Sequence, residues 1–166
     1  ADDPPSASVD RIADVYLRSG GNLAAVTRAL IDLEDAWRRV EASLHKTLDA
    51  QGRGRWVLAA HSDARSEWVL TTTDGQGHCS DLVIDRCFVD AATGERWLVD
   101  YKNSQPLPGE ALEDFTLRES DAYREQLRRY RDALGIFTAE PLRCALFFTA
   151  LGHLHPLPEL DLPARA

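Results

Sequence analysis

The chain reads as an α/β sandwich built on a mixed β-sheet, in the order helix, helix, three or four strands, helix, strand. Three observations predict it. Apolar residues recur every three or four positions from Leu23 to Leu48, the helical period. Between Arg55 and Lys102 the period falls to two, as in half-buried strands. The helical period returns from about Ser120 to Leu134, ahead of a nearly unbroken apolar run at Leu142–Thr149 that suits a central strand.

Residues 1–7 form a linker-like lead, and Ser8 can cap a short helix that reaches Leu17 and stops at Gly20-Gly21. Asn22 then caps a long helix. Its stripe of Leu23, Val26, Leu30, Leu33, Trp37, Val40, Leu44 and Leu48 is expected to pack on a core. A coiled-coil seam is the rival, but the pattern stops short of four heptads. A polar ridge of Glu34, Arg38, Glu41 and His45 flanks the stripe, either as a solvated edge or as an edge overlooking the acids described below.

Strands are expected at Arg55–Ala60, Ser66–Thr72, Cys79–Val89 and Arg96–Lys102, with turns at Asp74–Gly77 and Ala92–Glu95. A loop with Pro106, Pro108 and Gly109 follows. The later helix then places Tyr123, Gln126, Leu127, Tyr130 and Leu134 on one face. The tail from Pro156 is proline-rich and acidic and is expected at the periphery. One domain results, with a helical part at 1–50, a core at 51–155 and a tail at 156–166.

At 166 residues, 44% apolar and 28% charged, the composition is that of a soluble globular domain with a real core. No run approaches the roughly eighteen apolar residues of a membrane span. No secretory leader is visible either. The absence of any Met suggests a fragment of a longer protein. Cys79, Cys87 and Cys144 make no C-x-x-C, which argues against zinc and iron–sulfur sites. Cys87 and Cys144 sit in apolar runs and read as buried thiols in a reducing cytoplasm. A net charge of -8 argues against a free-standing, high-affinity nucleic-acid binder, though not against a catalytic module to which DNA is delivered.

The chemistry concentrates in Trp97-Leu98-Val99-Asp100-Tyr101-Lys102. On a strand, Leu98, Asp100 and Lys102 share one face, and a buried acid and base need partners or a task. Asp85 lies in a similar setting, and the turn at Ala92–Glu95 is compatible with a hairpin that brings it near Asp100. Two carboxylates about 4 Å apart repel by ~4 kcal/mol at an effective dielectric near 20, a cost that a divalent cation removes. With the Tyr101 carbonyl as a third oxygen, the donor set favours Mg²⁺ or Mn²⁺. Lys102 can then orient a water or stabilise charge developing on a phosphate. The plainer readings are an exposed Asp-x-Lys pair and an Asp85 ion pair with Arg86 or Arg96.

The set Ile84-Asp85-Arg86, Asp100-Tyr101-Lys102 and Tyr123-x-x-Gln126-x-x-x-Tyr130 resembles the PD-(D/E)XK nuclease superfamily. More narrowly it resembles the RecB-like nuclease domain at the C-terminus of UvrD/Rep-type helicases. Gly54-Arg55-Trp56 and Ala64-Arg65-Ser66-Glu67 are similar to the lead-in of those domains, and the likeness covers roughly residues 54–150. It implies a restriction-endonuclease-like core, metal ligation by Asp85, Asp100 and the Tyr101 carbonyl, and Lys102 as the catalytic lysine. Gln126, with Tyr123 or Tyr130, would line the cleft and hold DNA or order the active site. Relatives often carry a metal-contacting His, for which His45 is the candidate here, with Glu41 as fallback and Glu67 as an early-strand acid. No Gly-Thr precedes His45, which departs from that pattern.

The expectation is therefore a Mg²⁺- or Mn²⁺-dependent deoxyribonuclease module acting in DNA repair or recombination. Its substrate would be single-stranded DNA fed by the motor domains of a parent helicase. The rival is a catalytically inactive DNA-binding or docking module of the same fold.

Overall fold

The computed structural model describes residues 23–49, 51–73 and 76–165. The helix expected at Ser8–Leu17, its Gly20-Gly21 stop and the Asn22 cap lie outside them, as do the side chains of Leu23, Val26 and Leu30. The chain divides into two compact units, Ala1–Ala42 and Ser43–Ala166. In the first, the described residues are the greater part of helix α1 (Leu23–Thr47). Arg38 there bonds Glu34 at 2.6 Å and Asp35 at 3.4 Å, both exposed pairs of the helix surface.

Leu44 and Leu48, the part of the α1 stripe that lies in the second unit, are about half exposed and are not the packing face the periodicity suggests. The reason lies in what meets the strands at the end of α1. Thr47 Oγ1 donates to the Thr149 carbonyl at 3.2 Å and Ser43 Oγ to Asn103 Oδ1 at 3.2 Å, so a polar edge docks rather than the apolar stripe. Residues 43 and 47 share a face and 44 and 48 lie on its flank.

Helix α2 (Gly54–Leu58) stands where a first strand is expected. Trp56 and Val57 both enter one core cluster, as consecutive residues of a helix can and of a strand cannot. Five strands follow: β1 (Ser62–Thr73), β2 (Cys79–Val89), β3 (Arg96–Lys102), β4 (Leu142–Phe148) and β5 (His153–Pro156). They form one mixed sheet in the order β1-β2-β3-β4-β5, in which only β3 and β4 are parallel. Helix α3 (Leu112–Gly135) makes the crossover between those two and starts about two turns earlier than the periodicity indicates. Glu113 and Asp114 in its first turn complement the helix dipole, and Phe115 is buried.

Two cores flank the sheet. On the α3 face, Phe115, Leu127 and Leu134 pack with Ile84, Cys87, Leu98, Cys144, Leu146 and Phe148. On the α2 face, Val57 packs with Phe88, Val99, Ala145 and Phe147. β4 is buried almost throughout, as its apolar run predicts. The tail is less peripheral than expected. β5 pairs with β4, Leu157 and Leu160 are buried, and Leu162 bridges back to Leu142.

Arg86 is the tie between sheet and α2. Its guanidinium, 8% exposed, donates from Nε to the Val57 carbonyl at 3.1 Å and from Nη2 to the Ala59 carbonyl at 2.7 Å. Nη1 reaches Ser66 Oγ at 3.1 Å. These are carbonyls at the end of a short helix, with no intrahelical donor. Arg86→Ala strands the Val57 carbonyl, while the Ala59 carbonyl keeps the His61 N–H at 2.9 Å, and is expected to cost about 1–2 kcal/mol in urea unfolding. Arg86→Lys is expected to recover less than half of the loss, because one ammonium cannot span the three acceptors. A loss below about 0.5 kcal/mol in the alanine variant would remove Arg86 from this role.

Candidate metal and phosphodiester centre

The hairpin joining β2 and β3 holds antiparallel register from Val89↔Arg96 to Arg86↔Val99. The next pair would be Asp85 and Asp100, and there the two strands part. Asp85 Oδ2 accepts the Tyr101 backbone N–H at 2.7 Å, so its side chain takes the place of a ladder bond. A strand residue presents its N–H and C=O to the same edge, so the Tyr101 carbonyl also faces this fork. β2 breaks its alternation at the same point. Ile84 and Cys87 enter the same core cluster although three residues apart. Opposite Asp85, between the pairs Ser66↔Arg86 and Trp68↔Ile84, stands Glu67 with φ 49°, a left-handed conformation that glutamate rarely adopts. Such strain concentrates at functional sites.

Asp100 is 2% exposed. Gln126 Nε2 donates to its Oδ1 at 2.9 Å and lies 3.0 Å from Tyr130 Oη. Its Oδ2 is buried without a well-aligned donor, and Lys102 Nζ stands 2.5 Å away as the counter-charge. That ammonium also lies 3.9 Å above the Tyr123 ring. Burial pushes the Asp100 carboxyl above its usual range, Lys102 opposes this, and the Asp85 charge adds to it. Neither plainer reading of Asp85 is formed. Arg86 is spent on α2, and Arg96 bonds Asp63 at 2.9 Å and Glu140 at 3.1 Å.

A raised carboxyl pKa means that the folded state holds the proton more firmly than the unfolded chain does. Stability is then fully present at low pH and falls as pH climbs through the raised value. Asp100→Asn keeps an acceptor for Gln126 and removes the buried charge. In metal-free buffer its melting temperature is expected to exceed that of the wild type at about pH 7, with the gap closing toward about pH 4. A gap that widens on acidification would contradict this balance.

The remaining sequence candidates fall into three positions. Glu67 is exposed, and its charge, with that of Asp85, reaches the buried Tyr101 hydroxyl. Tyr123 and Tyr130 both pack against the core and both touch the polar row, so the packing and site readings coincide. His45 does not join the acids. Among the described residues no three His, Cys, Asp or Glu side chains gather as a metal cluster. The α1 residues that meet the strand ends are Ser43 and Thr47, each two positions and so about half a turn from His45. Glu41 belongs to the first unit, outside the one that carries Asp85 and Asp100.

The composition of the motifs did not single out Glu119. It is 5% exposed and accepts Ser104 Oγ at 2.6 Å. The available signals were its place one turn before Tyr123 and the place of Ser104 two residues after Lys102. A cavity of 260 Å³ lies toward the opposite end of β3, lined by Arg65, Trp68, Arg96 and Phe137 among others. Its two guanidiniums are engaged already, one on acids and one over the Trp68 ring at 4.5 Å, so the acids at the fork are the better-built centre.

No protein-family model and no curated protein matches this chain.

Proposed function

We propose that the chain is a Mg²⁺- or Mn²⁺-dependent deoxyribonuclease module of the PD-(D/E)XK, RecB-like kind. The observation that carries the reading is the fork at Asp85 and Asp100 with Lys102 between Asp100 and the Tyr123 ring. The residues fit a hard divalent cation. Asp100 Oδ2 is a buried carboxylate oxygen without a well-aligned donor, Asp85 has its second oxygen to give, and the Tyr101 carbonyl faces the same gap. Such an ion, when bound, supplies positive charge to a phosphodiester and lowers the pKa of a water.

The chain's own residues do the rest. Gln126 fixes one oxygen of Asp100, so the other is presented in a set direction. The Tyr101 N–H does the same for Asp85. Lys102 is a fixed cation beside the acids and stabilises the negative charge that develops on the phosphate as water attacks. The phosphorus–oxygen bond to the leaving nucleotide breaks as the bond to water forms.

Single-stranded DNA and helicase motor domains as partners rest on the sequence resemblance. The net charge of -8 fits delivery of DNA by another module, since few phosphates can be neutralised here. Three free cysteines suit a reducing cytoplasm. Among the described residues no helix is long and apolar enough to cross a membrane. The test is incubation of labelled single-stranded and duplex DNA with the chain in Mg²⁺, Mn²⁺ or EDTA. Cleavage in either metal and none in EDTA is expected. Cleavage unaffected by EDTA would overturn the reading, and intact DNA throughout would favour the inactive docking module.

A further inference from the structure

The partnership between β3 and α3 continues past the acids. Asp100 meets Gln126, Lys102 meets Tyr123, and Ser104 meets Glu119. Asp100 and Lys102 of β3, and Ser104 two residues beyond its end, thus meet residues of α3 that step back by three and then four positions. The third rung holds the chain just after Lys102. Glu119 is a buried carboxylate, a costly group unless it is fully paired. Arg118 Nη1 bonds it on the side opposite Ser104. Arg118 also bonds Glu110 at 3.0 and 3.1 Å, and Glu110 caps the Leu107 N–H at 2.7 Å. Both ends of the Ser104–Glu110 loop are therefore fastened to the one carboxylate.

We propose that Glu119 is a positioning residue for Lys102. By holding Ser104 it keeps the residues after β3 extended, so that the ammonium stays over Tyr123 and beside Asp100. This deepens the nuclease reading, because it rests on Lys102 being part of the site. The ion pair from Arg118 sets the direction in which the Glu119 carboxylate is offered, and Ser104 is the only hydroxyl between Lys102 and Glu119 apart from Thr116, which bonds the Glu113 carbonyl at 3.0 Å.

The sequence makes a direct readout possible, since Lys46 and Lys102 are its two lysines. In the full chain labelled with carbon-13 lysine, two sets of side-chain signals appear. The ε-methylene protons of Lys102 are expected upfield of those of exposed Lys46, because the Tyr123 ring shields them. In Glu119→Ala and in Ser104→Ala the Lys102 signal is expected to move at least halfway to that of Lys46. Glu119→Gln is expected to hold it, since the amide oxygen still accepts the Ser104 hydroxyl. Where cleavage is measurable, Glu119→Ala lowers kcat by about 10- to 100-fold with a smaller change in KM.

A folded Glu119→Ala with an unmoved Lys102 signal overturns the proposal. If that variant fails to fold, Ser104→Ala decides alone, because it removes one hydroxyl and no buried charge. DNA left intact by the wild type in both Mg²⁺ and Mn²⁺ would instead sink the nuclease reading, while the spectral shift still reports on Glu119.

Discussion

Lys102→Ala is expected to lower metal-dependent DNA cleavage by about 10²–10³-fold, the usual loss when one charge-stabilising group is removed from a reacting centre. The effect should fall on kcat rather than KM, because in the proposed reaction the ammonium acts on charge that develops only as the phosphate reacts. Folding should survive. Lys102 is a half-buried cation beside an already crowded carboxylate, and Asp100 can take up a proton when its counter-charge is gone. Asp100→Ala is expected to match or exceed this loss and to abolish the metal dependence itself. Lys102→Arg should recover little, since a planar guanidinium cannot sit both on Tyr123 and within reach of Asp100 Oδ2. Cleavage rates of the three variants in Mn²⁺ check this, and wild-type rates in Lys102→Ala would remove the lysine from the chemistry.

The largest stability effect is expected at Gly54. A Cβ built there would lie 1.9 Å from the Thr47 carbonyl oxygen and 3.0 Å from Phe147 Cζ. Glycine to alanine within a helix ordinarily gains about 0.5–1 kcal/mol, so propensity alone predicts a more stable protein. The clash reverses the sign. The end of α1 must move off α2, breaking the Thr47 bond to Thr149 and the Ser43 bond to Asn103. We expect a loss on the order of 3 kcal/mol in urea unfolding. Gly94→Ala is the control. It sits at φ 70° with open space around it, so only backbone strain of about 1–2 kcal/mol applies. If Gly54→Ala is neutral, the close approach of the two backbones is not a constraint on the fold.

That Asp85 and Asp100 come to one fork was legible because both lie on strands whose alternation can be read directly. The pairing of β2 with β3 follows from the turn between them, and the burial of β4 from its nearly unbroken apolar run. Gln126 and Tyr123 were legible for the same reason, since their helix is long and periodic. Elements of four or five residues were not. In α2 no full turn repeats, and its helical state is fixed by Arg86, which is distant in sequence. In β5, two His and a Pro hide a strand that exists because β4 offers it an edge. The end of the α1 stripe, Leu44 and Leu48, misled for a different reason. Periodicity identifies a face but not whether anything covers it, and here two hydroxyls dock instead. His45 was the candidate that the resemblance offered, and the α1 residues that bond the strand ends are Ser43 and Thr47, each about half a helical turn from it.

The measurement that tests the central claim most directly is calorimetric titration of Mn²⁺ into the wild type, Asp85→Ala and Asp100→Ala. Asp85 and Asp100 make a site only as a pair, so binding at one site in the wild type should be lost in both variants. Wild-type protein that takes up no Mn²⁺, or variants that bind it as well as the wild type, would contradict a metal centre at the fork.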